Sequence, residues 1–383
     1  MHVGLVTGIF PPDIGGPATF IATLGTSLVE RGHTVEVVTY ADAPHVPHEW
    51  PFRVTRIQRG SKTRRAQAIF AVLRMALRAD VLLVNGLLEA TTIANSVARC
   101  PCAVKIVGDL AWERARNQEL TTQEFLSFQA RKHAGRIAQW QRRRNRCLRR
   151  ATAVVVPSDF LRTVVEAWGI RRPIHVIPNG VDDAFVRAAD AANLDELRAR
   201  HRLPQRVLAY AGRLTNWKGC DTLVRVLPHL PEDVGLVIVG DGPERAALLA
   251  LVERLHLAER VRFLPPMERA RVAGLLRLAS CFVLNSGYEG HPHVVLEAMA
   301  VGTPVAAADE CGTPEVVRHD ENGLLFQKDN SPQLVEALRR ILDDEPTRKR
   351  LIEGGTRTAR HYAWSATVER TETLLNKLAR HEP

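Results

Sequence analysis

Two glutamates eight residues apart, Glu289 and Glu297, stand in the stretch "YEGHPHVVLEAMAVGTPV". The run before them, "CFVLNS", reads as a buried strand, and "HVVLEAMAVG" reads as a helix closed by Gly302. Glu289 is therefore expected in the loop at the strand's carboxyl end, and Glu297 about one turn into the helix. Pro292 suits the first helical turn. The free N–H groups of His293, Val294 and Val295 would then face an anion, because helix N-termini attract phosphate. Glu297 is placed to accept hydrogen bonds from a ribose diol, and Glu289 to do the same for a sugar ring. The bare E-x7-E spacing more often marks a solvated helix face; the strand, loop and apolar helix around it give it weight. His291 and His293 invite a metal reading, but no third ligand is apparent nearby.

A second set of residues lies in "AYAGRLTNWKGCDTL". A strand ends at Gly212, and Arg213 and Lys218 occupy the turn before the next helix. Two cations five residues apart at a strand's carboxyl end can grip a diphosphate, the arginine as a planar fork and the lysine as a point charge. The plainer reading is two surface cations in a loop. Of 52 basic side chains only seven are lysine, which slightly favours a purpose for Lys218. Near the start, "GIFPPDIGGPATF" reads as strand, turn, Gly15-Gly16, then helix. The paired glycines allow backbone approach to an anion or sugar, or simply make a tight turn. The pattern is not G-x-G-x-x-G, which argues against a dinucleotide site.

These residues need a scaffold that brings strand ends together. Near-continuous Val/Ile/Leu runs alternate with helical stretches along the whole chain, the mark of βαβ units and of parallel strands buried on both faces. Six such runs, "HVGLVTGIF" to "TAVVVPS", precede a break at "IHVIPNGVDDAFV", and six more follow, from "RVLAYAG" to "GLLFQ". The expected architecture is two doubly wound domains, residues 1–174 and 175–363, with their strand ends facing across a cleft. A last helix, residues 364–383, is expected to return to the first domain. A length of 383 residues suits two cores. No apolar run is long enough to span a bilayer, and "MHVGLVTGIF" reads as a strand rather than a secretory signal. Six scattered cysteines fit reduced thiols in a cytoplasmic protein. The net charge of +10 favours anionic partners, though no nucleic-acid recognition motif is present.

With these residues in place, the chain resembles the retaining family 4 glycosyltransferases of the GT-B fold. "EGHPHVVLEAMAVGTPV" is similar to their E-x7-E signature, "GRLTNWKG" to their G-R-L-x-x-x-K-G turn, and "GGPATF" to their N-terminal glycine loop. "VVVPSDFLRTVVEAWGI" with "IHVIPNGVD" resembles their hinge, and "GTPEVVRHDENGLLF" their late donor-site loop. The resemblance covers nearly all of the chain. It implies transfer of a sugar from a nucleoside diphosphate sugar to an acceptor hydroxyl, in cell-envelope glycan or glycolipid synthesis, with no metal and no other cofactor. Arg213 and Lys218 would bind the diphosphate and stabilise the leaving group, beyond Gly212. Glu297 would hold the ribose. Glu289, with backbone N–H groups at Gly290, His291, His293 and Val294, would hold the sugar. His291 would shape the sugar pocket, and Gly15 and Gly16 would approach the diphosphate from the first domain. Basic groups and helix dipoles would neutralise the leaving charge.

One place departs from the family pattern. Many relatives carry a histidine after the fifth strand, where this chain has "VKIVGDLAWERAR". Asp109 either replaces that contact, orients an acceptor hydroxyl as a base, or caps a helix. Two basic amphipathic stretches, "SKTRRAQAIFAVLRMALRAD" and "ARKHAGRIAQWQRRRNRCLRRA", lie in the first domain. They suit either an anionic membrane surface, on its cytoplasmic face, with a saccharide or lipid-linked acceptor, or simply a solvated basic face. Other readings on the same scaffold are a nucleotide-sugar 2-epimerase and a non-catalytic sugar-nucleotide or polyanion binder.

Overall fold

The structure is a computed structural model describing residues 1–42 and 50–382. The chain divides into two units, the first made of Met1–Gln123, Ser127–Pro178 and the C-terminal segment from Ala366, the second of Glu124–Leu126 and Asn179–Ser365.

The first unit is built on seven parallel strands: β1 (His2–Thr7), β2 (Thr34–Ala41), β3 (Arg53–Gln58), β4 (Val81–Asn85), β5 (Cys102–Lys105), β6 (Ala153–Val156) and β7 (Ile174–Val176). Their order is β3-β2-β1-β4-β5-β6-β7. The chain leaves β1 in one direction and later returns to its other side at β4, so a switch point lies between them. Val3, Leu5, Val6, Leu82, Val84 and Val154 are wholly buried, as expected of strands covered on both faces. The covering helices include α1 (Gly16–Glu30), α2 (Arg64–Ala76), α3 (Leu88–Ala98), α4 (Leu110–Asn117) and, past the short α5 (Phe125–Gln129) whose first two residues belong to the second unit, α6 (Gly135–Arg150). The C-terminal helix joins this unit: Glu372 accepts from Arg31 and pairs with His33, both at 2.7 Å, and the Thr367 hydroxyl donates to the Pro178 carbonyl at 2.9 Å.

Seven strands, not six, form this sheet. The segment read as a break contains β7, whose Ile174, His175 and Val176 pair with Val154, Val155 and Val156. The boundary therefore falls after Pro178 rather than after residue 174, and the returning segment begins at 366 rather than 364. Three paired residues are enough for an edge strand, and the following Pro178-Asn179-Gly180 ends it.

The second unit carries β8 (Arg206–Ala211), β9 (Val234–Val239), β10 (Val261–Leu264), β11 (Cys281–Leu284), β12 (Val305–Ala308) and β13 (Leu324–Phe326). All pairings are parallel, in the order β10-β9-β8-β11-β12-β13. One continuous apolar cluster runs from Val181 to Ala359 and fills both sides of this sheet. The six cysteines are all free thiols. Among the described residues no helix is long and apolar enough to cross a membrane.

Candidate active site

The turn after β8 is held by several independent contacts. The buried Tyr210 hydroxyl donates to the Arg213 carbonyl at 3.1 Å, and burial pushes this phenol well above its ordinary value, so it stays a neutral donor. A side chain at Gly240 would collide with the Gly212 carbonyl, and one at Gly242 with that of Leu214. Gly219 closes the lysine turn at φ +59°, where any Cβ would collide with the Asn285 amide. Asn285 in turn donates to the Gly219 carbonyl at 3.1 Å and to Asp329 at 2.8 Å, and accepts from the Asp329 N–H at 3.0 Å. Asn285 and Asp329 thus fix the turn, although the sequence analysis passed over them. The available signal was a lone asparagine ending an otherwise apolar strand, "CFVLN".

Lys218 and Glu289 meet: Nζ donates to Oε1 at 2.5 Å, with both side chains mostly buried. The Glu289 loop is backed by Gly312, whose N–H donates to the Glu289 carbonyl at 2.9 Å and whose missing side chain lets the Gly290 carbonyl approach. The Arg213 side chain is exposed and, among the described residues, carries no ion pair.

Glu297 is 5% exposed and lies in the helix His293–Ala300. Its Oε1 accepts from Arg269 Nε at 2.8 Å and faces His293 Nε2 at 3.2 Å. Burial pushes this carboxyl up, but His293 and Arg269 together outweigh it and hold the group below the usual carboxylate range. Arg269 also pairs with Asp182 and lies over the Phe185 ring at 4.8 Å. These partners lie far away in sequence and had no local pattern to announce them.

The helix begins one residue later than expected. Pro292 is its N-cap, not a first-turn residue. The Val295 N–H turns back to the Pro292 carbonyl at 3.2 Å, so it is not a free donor for an anion. The His293 and Val294 N–H groups have no backbone partner among the described residues. His291 is 7% exposed and meets the Tyr362 ring edge-on at 5.3 Å. Among the described residues no group of three His, Cys, Asp or Glu side chains could hold a metal ion.

In the first unit, Gly15 caps α1 and Gly16 opens it. Open space lies where a Gly16 side chain would stand. Asp109 corrects the expectation of an acceptor base. It is fully buried and caps α4: Oδ1 accepts from the Ala111 N–H at 2.9 Å and from Arg144 at 2.5 Å, and Oδ2 accepts from Gln129 at 2.9 Å. Gln129 accepts from the Trp168 indole at 2.9 Å, and the Arg144 guanidinium lies over the Trp168 ring at 3.3 Å. The contacts close a circle that commits three of the carboxylate's roughly four acceptor positions to the fold, and its full burial keeps it from a substrate proton. Burial lowers the Arg144 pKa, opposed by Asp109. What the sequence could not reveal is that Arg144, 35 residues away, would turn one face of a basic helix inward.

Two parallel-sheet Rossmann-like units of this kind are the architecture of the GT-B class. Residues 194–358 match the family model "Glycosyl transferases group 1" and residues 14–185 match "Glycosyltransferase Family 4". The chain belongs to this family. It is 38% identical over 200 residues to a D-inositol 3-phosphate glycosyltransferase of Xylanimonas cellulosilytica, covering 50% of this chain and 48% of the relative. It is 30% identical over 223 residues to an alpha-D-kanosaminyltransferase of Streptomyces kanamyceticus, covering 57% of each. The match therefore spans about half the length of these relatives. The fold is that of a sucrose-phosphate synthase from Thermosynechococcus elongatus, with a TM-score of 0.82, 22% identity and full coverage of both chains.

Proposed function

We propose that this protein transfers a glycosyl group from a nucleoside diphosphate sugar to an acceptor hydroxyl, with retention of anomeric configuration and without a metal. The observation that carries the reading is the joining of Lys218 to Glu289 on the carboxyl edge of the second sheet, beside an unpaired Arg213 and a helix N-terminus. Arg213 and Lys218 bind the diphosphate and neutralise the charge that grows on it as the glycosidic bond breaks. The His293 and Val294 N–H groups add donors. Glu289, anchored by Lys218, accepts from hydroxyls of the sugar. Among the described residues Glu297 is anchored through Oε1, and Oε2 is the atom for the ribose diol.

Gly15 and Gly16 leave the backbone open at the start of α1, and the acceptor binds on the first unit. The basic helices α2 and α6, with Phe70 and Leu77 exposed along the first of them and at its end, support a peripheral site on an anionic membrane at the cytoplasmic face. The test is incubation with UDP-, GDP- and ADP-sugars and an acceptor panel in EDTA, following nucleoside diphosphate release and the product's anomeric proton. Release with one donor class and a retained anomer is expected; no release in any combination overturns the reading. Co-sedimentation with anionic but not neutral liposomes at low salt is expected for the membrane site.

A further inference from the structure

A cavity of about 1030 Å³ opens within the first unit. It lies at the carboxyl ends of β1, β4 and β5, the switch point of that sheet. Pairing of Leu82, Leu83 and Val84 with Cys102, Ala103 and Val104 brings Asn85 level with Lys105, the last residues of their strands. Both side chains line the cavity. Lys105 is 4% exposed. Among the described residues neither its Nζ nor the Asn85 Nδ2 has a hydrogen-bond partner, and both atoms are buried. Lys105 rests over the Phe20 ring, 4.2 Å from its centre. That contact satisfies the amine's charge in part but none of its three donors. A methionine would fill the same space without leaving donors unmet, and buried polar groups without partners are rare enough to need a cause.

The charge of the lining narrows that cause. Among the described residues seven arginines join Lys105 there, against Glu89 and Glu113 as acids. Some of these cations are spoken for: Arg144 by Asp109, Arg59 by Asp13 and Asp42, Arg143 by Glu89 at 3.9 Å. Arg64, Arg65 and Arg114 are exposed and carry no ion pair among the described residues. Two orphan donors in the wall and unpaired arginines around them ask for a ligand rich in acceptor oxygen and negative charge.

We infer that this cavity takes an acceptor bearing a phosphate or carboxylate group, with Lys105 and Asn85 as the residues that select it. The inference rests on the glycosyltransferase reading only in calling the ligand an acceptor; the anion site stands on its own geometry. The cavity has room for a phosphorylated saccharide. Burial lowers the Lys105 pKa to about 7, so the amine loses its charge more readily than an exposed lysine. A bound anion pairs with the ammonium form, so binding takes up a proton and weakens as the pH rises through this range.

Calorimetry on the whole chain tests this with glucose, glucose 6-phosphate, myo-inositol 3-phosphate, glucuronate and inorganic phosphate. The same titrations are run on Lys105→Met, with a nucleoside diphosphate titration as the control for folding and for the second unit. At least one sugar anion should bind about tenfold or more tighter than its neutral parent, and Lys105→Met should lose that margin while keeping nucleotide affinity. Glucuronate stays ionised throughout, so a loss of its affinity between about pH 6 and pH 8.5 that is absent in Lys105→Met reports Lys105. Vesicles of phosphatidylcholine with and without phosphatidylinositol separate the sources. Lysine-dependent binding of soluble anions indicates a free acceptor, and lysine-dependent binding only to phosphatidylinositol vesicles indicates a lipid headgroup. Equal binding of neutral and anionic probes, unchanged anion binding in Lys105→Met, or binding of no probe in either form would overturn the inference. Failure of nucleotides to bind the wild type, with the anion site intact, would remove the glycosyltransferase reading and leave the site standing.

Discussion

Asp109 and Lys105 lie four residues apart in the first unit and behave in opposite ways: the carboxylate accepts three hydrogen bonds, and the amine has no hydrogen-bond partner among the described residues. Removing the carboxylate strands the buried Arg144, so Asp109→Ala should cost about 3–5 kcal/mol in a denaturant titration. Asp109→Ala with Arg144→Met should recover much of that loss; if the double variant is no better than the single, the pair is not what holds α4. For Lys105 the folded value of about 7 lies below the ordinary 10.5. Folding therefore releases a proton between those values, and stability rises with pH across that window while the burial cost is full below it. Lys105→Met should raise Tm, and by more at about pH 6 than at about pH 10; a gain independent of pH would mean that the amine is not desolvated. At this scale the sequence announced Lys218 and Glu289 because each sits in a local pattern. It could not announce Arg269, Asp182 or Arg144, whose partners are brought to them only by the fold.

The elements were legible wherever burial on both faces left a continuous apolar run. The twelve runs read as strands correspond to β1–β6 and β8–β13, and only β7, three residues long beside Pro-Asn-Gly, was taken for a break. Helix starts were harder, since the Pro292 register depends on a turn the neighbouring loops impose. Turn chemistry carries the donor side. Gly219 at φ +59° lets the lysine turn lie against Asn285, so Gly219→Ala must both strain the backbone and push that amide away. We expect a loss of at least about 1 kcal/mol in stability and about tenfold or more in nucleoside diphosphate affinity. A variant that loses stability but binds nucleotide as before would uncouple this turn from the diphosphate.

For the molecule as a whole, the net charge of +10 is unevenly spent: the cavity of the first unit and helices α2 and α6 collect arginines, while the second unit offers Arg213 and Lys218. Composition alone suggested anionic partners but not which ones, because charge counts carry no geometry. We propose a diphosphate on the second unit and an anionic acceptor on the first. The central claim is the first of these. It is tested most directly by titration calorimetry with UDP, GDP and ADP, in EDTA, on the wild type and on Lys218→Ala. The account predicts that one diphosphate binds and that the substitution weakens it by about a hundredfold, as expected when a charged contact is removed and Glu289 is left unpaired. Binding of none of the three, or equal affinity in the two proteins, would contradict it.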